Sequence, residues 1–194
     1  MSGKELRKRK SHRLPEYDYG KYGYYFVTIC TNHRIPLLSK ITPVGSDAPV
    51  VPQFDAAVIP ESLIVPTSLG NKVVESFKKI ETLNENVKID KFVLMPNHIH
   101  AIIIIENTDP IETIEKQYAF QISERRGRRS LQGLIKDFKS VTTRYYKKTF
   151  GTNESLWQES FYDEVIKSYQ QYESVWNYIN ENPLKWNNDD YFKL

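Results

Sequence analysis

The sequence predicts an α+β sandwich, an antiparallel sheet with helices packed on it, within one domain. Three observations predict it. Segments that are strand-like in composition alternate with segments of helical period, in the order β, α, β, β, α, β, α. Two strand-like segments, 89–94 and 98–105, meet at a tight turn around Pro96-Asn97, which makes them an antiparallel pair. The 194 residues are 40% hydrophobic, enough for one sizeable core. The first six elements follow the βαββαβ order of a ferredoxin-like sandwich, and the seventh is an extra C-terminal helix.

The elements can be justified in turn. Residues 1–20 form a basic arm containing Arg7, Lys8, Arg9, Lys10 and Arg13, followed by Tyr17 and Tyr19. Residues 21–194 read as the single domain. Tyr24 to Thr31 is aromatic or β-branched except for Cys30, which predicts a strand ended by Asn32-His33-Arg34; His33 then lies near the site described below. From 41 to 66 five prolines break any regular pattern, so this stretch is expected to be an irregular insertion with a small hairpin around Pro60-Glu61.

Thr67 or Ser68 caps a helix reaching about Leu83, with Leu69, Val73, Val74, Phe77 and Ile80 inward. A polar loop from 107 to 130 carries Arg125, Arg126, Arg128 and Arg129. Ser130 caps the next helix, with Leu131, Leu134, Ile135, Phe138 and Val141 inward, and Gly151 ends that unit. A short strand follows at about Tyr162 to Ile166. Ser168 and Gln171 are spaced as a capping box for the last helix, and Pro183 stops it at Asn182.

Strand alternation gives the chemistry. His98 and His100 point to one face while Ile99 points to the other, about 7 Å separating them along the strand. Two imidazoles so placed on an exposed sheet face can hold one divalent cation, although surface histidines beside a turn would show the same spacing. On the last helix, Tyr172, Val175, Trp176 and Ile179 form an apolar stripe, and Tyr178 and Asn182 lie one turn apart on its flank. A half-buried tyrosine and a helix C-cap would satisfy that pattern equally well.

Composition narrows the setting. With Cys30 alone, neither an internal disulfide nor a cysteine zinc cluster can form, and a reducing cytoplasm is expected. The apolar run Ala101 to Ile105 is too short to span a bilayer, so no membrane association is expected. The net charge of +3 hides two cationic runs, Arg7 to Arg13 and Arg125 to Arg129, while the chain from Thr149 onward leans acidic. Clustered cations beside a near-neutral average point to a polyanion held on selected surfaces, here proposed as DNA contacts.

Several motifs in order carry a family resemblance. Met95-Pro96-Asn97-His98-Ile99-His100 resembles the His-hydrophobic-His signature of the single-tyrosine HUH transposases. Tyr178-Ile179-Asn180-Glu181-Asn182-Pro183 resembles the tyrosine helix of the REP-associated tyrosine transposases. Tyr24 to Thr31, Phe138-Lys139-Ser140, Leu156-Trp157-Gln158 and Asn182-Pro183-Leu184-Lys185-Trp186 match as well. One departure is that better-known insertion-sequence relatives carry Gln one turn after the tyrosine, where this chain has Asn182.

The resemblance implies a metal-dependent enzyme that nicks and rejoins single-stranded DNA near hairpins. Tyr178 would be the nucleophile, and His98, His100 and Asn182 the ligands of Mg²⁺ or Mn²⁺. The partner would be single-stranded or hairpin DNA, and pairing into a homodimer is left open. One alternative is a domesticated, non-catalytic hairpin-binding protein, which would have no use for the trio of His98, His100 and Tyr178. Another is a metal-dependent hydrolase, which would need no tyrosine and usually recruits carboxylates.

Overall fold

The computed structural model describes residues 22–42, 64–106 and 130–188. Strand β1 (Gly23–Cys30) is followed by β2 (Ser39–Ile41), β3 (Ile64–Pro66) and helix α1 (Ser68–Thr82). Next come β4 (Val87–Leu94), β5 (His98–Ile105), α2 (Leu131–Phe150), β6 (Tyr162–Ile166) and α3 (Tyr169–Glu181). The expected alternation of elements is present. Four strands form one antiparallel sheet in the order β4-β5-β1-β6, with β5 and β1 at its centre.

Central β5 is buried on both faces, as its isoleucine run requires. Tyr25, Val27, Ile29, Ile99, Ala101 and Ile103 point to the face covered by α1 and α2. Phe26, Val93, Ile102 and Ile166 point to the other, where Ile179 of α3 packs. Each fully buried isoleucine stabilises the fold by about 1.5–3 kcal/mol.

The caps are local and as expected. Thr67 and Ser130 accept hydrogen bonds from the Gly70 and Gly133 amides, and Gly151 ends α2 in the left-handed region (φ 64°). Ser168 accepts from the Gln171 amide, but the Gln171 side chain returns to the Lys167 amide, one residue before the cap. Gly70 is where α1 meets the chain at Leu38; a β-carbon there would lie 1.9 Å from the Leu38 carbonyl oxygen.

Four details differ from the sequence expectation. β1 ends at Cys30, and Thr31 instead bridges to Trp157. Val141 is 51% exposed, while Thr142 is buried and accepts a hydrogen bond from Trp157 Nε1 at 2.7 Å, so a polar pair occupies the expected apolar position. The ends of the 41–66 stretch pair as a small ladder of their own, Ser39 opposite Pro66 and Ile41 opposite Ile64. Asp90 is a bulge: Ile89 and Lys91 oppose successive residues Ile103 and Ile102, leaving Asp90 extra. The hairpin expected at Pro60-Glu61, the N-terminal arm and the Arg125–Arg129 run lie outside the described residues. Among the described residues no helix is long and apolar enough to cross a membrane.

Candidate active site

The site is built where β5, β1 and α3 meet. His98 and His100 lie on the same face of β5, as alternation requires, with ring centroids 4.3 Å apart. The expectation of an exposed sheet face is corrected: both imidazoles are buried, because α3 and the turn after it lie over this face. Phe26 stacks on His100 at 5.4 Å, and Trp186 tilts against His98 at 6.0 Å.

Tyr178 reaches in from α3. Its hydroxyl lies 3.2 Å from His100 Nε2, and its ring meets Phe26 edge-on at 5.9 Å. The contact forms within one chain. Tyr178 remains 43% exposed, so its hydroxyl stands at the boundary between a dry His pair and solvent. Asn182, the C-cap of α3, is buried with its side-chain oxygen inside the protein. In sequence it falls midway between Tyr178, which touches His100, and Trp186, which touches His98.

Hydrogen bonds on the far side of each ring set the tautomers. Asn97 Nδ2 donates to the Arg34 carbonyl at 3.1 Å, which turns Asn97 Oδ1 toward His98 Nδ1 at 2.8 Å. A carbonyl oxygen only accepts, so His98 carries its proton on Nδ1 and a lone pair on Nε2. Thr28 Oγ1 lies 2.8 Å from His100 Nδ1, and a Tyr178 hydroxyl donating to Nε2 gives His100 the same tautomer. Two Nε2 lone pairs backed by Nδ1 hydrogen bonds are the arrangement by which imidazoles ligate metals. Among the described residues no group of three or more His, Cys, Asp or Glu could hold a metal ion.

Sequence reasoning missed three contributors. Thr28 and Asn97 orient the imidazoles, and neither has a residue type that announces the role. Arg34 is the third. His33 and Arg34 both take the left-handed conformation, with φ of 53° and 58°, a strained backbone for non-glycine residues. This turn is tied to the His98 turn by the Thr31 hydroxyl, 2.8 Å from the Ile35 carbonyl and 3.0 Å from that of Asn97.

Burial pushes the His100 imidazole down to about 3. Burial first, then the charges of His100 and Arg34, hold His98 well below its usual range. Both are therefore neutral at physiological pH, the form that binds metal. The unfolded chain's imidazoles protonate near 6.5, so below that pH the unfolded state binds more protons and stability falls until both states are protonated near pH 3. At pH 5 His100 alone is expected to lower stability by about 2 kcal/mol relative to pH 8. Urea midpoints from pH 8 to 5 test this. A His100→Gln variant showing the same slope would refute it.

An antiparallel sheet with two helices on one face, and on the other a helix bringing a tyrosine onto a buried histidine pair, defines the class: an α+β protein with a His-His-Tyr centre. No family model matches the chain. A protein of Haemophilus influenzae strain Rd, of uncharacterised function, is 28% identical over 189 residues, covering 96% of this chain and 94% of that one. Among solved structures, the chain is similar to a REP-associated tyrosine transposase bound to a REP hairpin, with a TM-score of 0.49 and 18% identity over 91% of this chain and 74% of that one. It is also similar to a candidate transposase from Deinococcus radiodurans R1, with a TM-score of 0.38 and 12% identity over 84% and 92%.

Proposed function

We propose that this chain is a single-tyrosine transposase of the REP-associated kind, which nicks and rejoins single-stranded DNA near hairpins. The observation that carries the reading is the Tyr178 hydroxyl 3.2 Å from Nε2 of a buried, neutral histidine. The motif resemblance supports it independently.

In this reading the Tyr178 hydroxyl gives up its proton to water as its oxygen attacks the phosphorus of a phosphodiester. The bond to the 3′ oxygen breaks, the 5′ side stays on tyrosine as a phosphotyrosyl ester, and the departing oxygen takes up a proton as a 3′-hydroxyl. The ester conserves the phosphodiester bond, so a later 3′-hydroxyl can reverse the step without ATP. His98, His100 and Asn182 would hold Mg²⁺ or Mn²⁺. Bound there, such an ion would polarise the phosphate and offset charge developing in the transition state. The two imidazoles favour Mn²⁺ more than an all-oxygen site would.

His100 Nε2 has one lone pair, so Tyr178 must leave it before both histidines can grip an ion. Its exposed position allows that rotation. The cationic runs Arg7–Arg13 and Arg125–Arg129 would hold DNA phosphates. The test is to incubate the protein with labelled single-stranded hairpin DNA and Mn²⁺ and look for a denaturation-resistant protein–DNA adduct. Its absence across a panel of hairpins would refute the proposal.

A further inference from the structure

A second feature lies at the opposite end of α3 from the tyrosine's hydroxyl. A groove of about 530 Å³ opens there, walled by Tyr24, Tyr169 and Tyr172, floored by Ile104 and Ile166, and flanked by Lys167. A smaller opening of about 210 Å³ lies on the other side of the Tyr169–Tyr172 pair, against Trp176 and Asn177. Tyr169 is 70% exposed and Tyr24 45%, a large aromatic surface to leave in water beside an apolar floor.

The rings are held in place. Tyr169 and Tyr172 stack 6.3 Å apart at 25°, and Tyr24 meets Tyr172 edge-on at 5.9 Å. The bulged Asp90 accepts the Tyr172 hydroxyl at 2.7 Å, which pushes that phenol up to about 12, and a hydrogen bond with Glu173 raises that of Tyr169. Both carboxylates are thereby engaged in fixing phenols, while Tyr169 and Tyr24 stay exposed at the groove. Fixed, open aromatic faces beside a lysine are what unpaired nucleobases stack on.

Position on the sheet adds a second argument. Tyr24, which walls the groove, and Phe26 lie two residues apart on one face of β1, about 7 Å along the strand, and Phe26 meets the Tyr178 ring at 5.9 Å. A strand with one phosphate at Tyr178 could therefore place a base in the groove a few nucleotides away.

We propose that this groove is a stacking cleft for unpaired bases of single-stranded DNA flanking the phosphate presented to Tyr178. Stacking reads any base face, so the cleft supplies affinity and strand position. The proposal rests on the transposase reading above.

The test uses the full chain, a fluorescein-labelled single-stranded oligonucleotide and the same strand carrying 2-aminopurine within a few nucleotides of the cleavage point. Tyr169→Ala and Tyr24→Ala are expected to weaken binding about five- to a hundredfold, as loss of a stacked base does, and to abolish 2-aminopurine quenching. Tyr169→Phe keeps the ring and is expected to bind within about twofold of wild type. Wild-type affinity and quenching in both alanine variants, with the wild-type chain still forming its adduct, would overturn the cleft and leave the transposase reading intact. A wild-type chain that neither binds the strand nor forms an adduct would overturn both.

Discussion

Tyr178→Phe is expected to fold as the wild type does and to form no covalent adduct with DNA. The substitution removes one oxygen, whose contact to His100 is 3.2 Å long and half-exposed, so stability should change by no more than about 1 kcal/mol. The ring contacts to Phe26 and His100 survive. Loss of the nucleophile, by contrast, is expected to slow strand cleavage by at least about a thousandfold. Peptide mass analysis of the wild-type adduct locates the linkage. An adduct on Tyr162, Tyr169 or Tyr172, or normal nicking by Tyr178→Phe, would refute the assignment.

Removing either histidine is expected to have the next largest effect. His98→Ala or His100→Ala should lower cleavage by at least about a hundredfold while hairpin affinity stays within about threefold, since phosphate contacts elsewhere hold the DNA. These side chains are buried, and truncation strands Asn97 or Thr28, so the alanine variants are expected to lose about 1–3 kcal/mol of stability as well. His98→Gln and His100→Gln keep a polar side chain for those partners and separate folding from chemistry. Calorimetric titration with Mn²⁺ should show weakened binding in all four. Unchanged Mn²⁺ binding, or gel shifts that weaken as much as cleavage does, would count against the histidines as an ion site.

What could be read from the sequence was local. The caps at Thr67, Ser130 and Ser168 lie within three residues of the amides they serve, and β5 begins at His98 because the Pro96-Asn97 turn sets its start. The shared face of His98 and His100 follows from a period of two. Their burial could not be read the same way, because the cover comes from Ile179, Tyr178 and Trp186, far along the chain. Asp90 left a faint signal, two successive polar residues between Ile89 and Phe92, where a regular strand would keep alternating. Thr142 left none, since its burial depends on Trp157, and a hydrophobic stripe continued through Val141 looked equally good. Arg34 was hidden because left-handed backbone at a non-glycine residue is imposed by the surrounding turn.

The two-strand ladder of β2 and β3 bears on how this domain tolerates change. Ser39–Ile41 and Ile64–Pro66 hold the two ends of residues 43–63 side by side, and Ile41 and Ile64 pack against the same cluster as Ile179 and Trp186. Closing a loop becomes harder only as the logarithm of its length, about 0.6 kcal/mol for each doubling. Replacing 43–63 with a four-residue turn is expected to leave the melting temperature unchanged or slightly raised, and a calorimetric scan would show a large drop if the ladder were not self-sufficient. If that result is found, the ladder is a splice point at which the intervening segment can be exchanged.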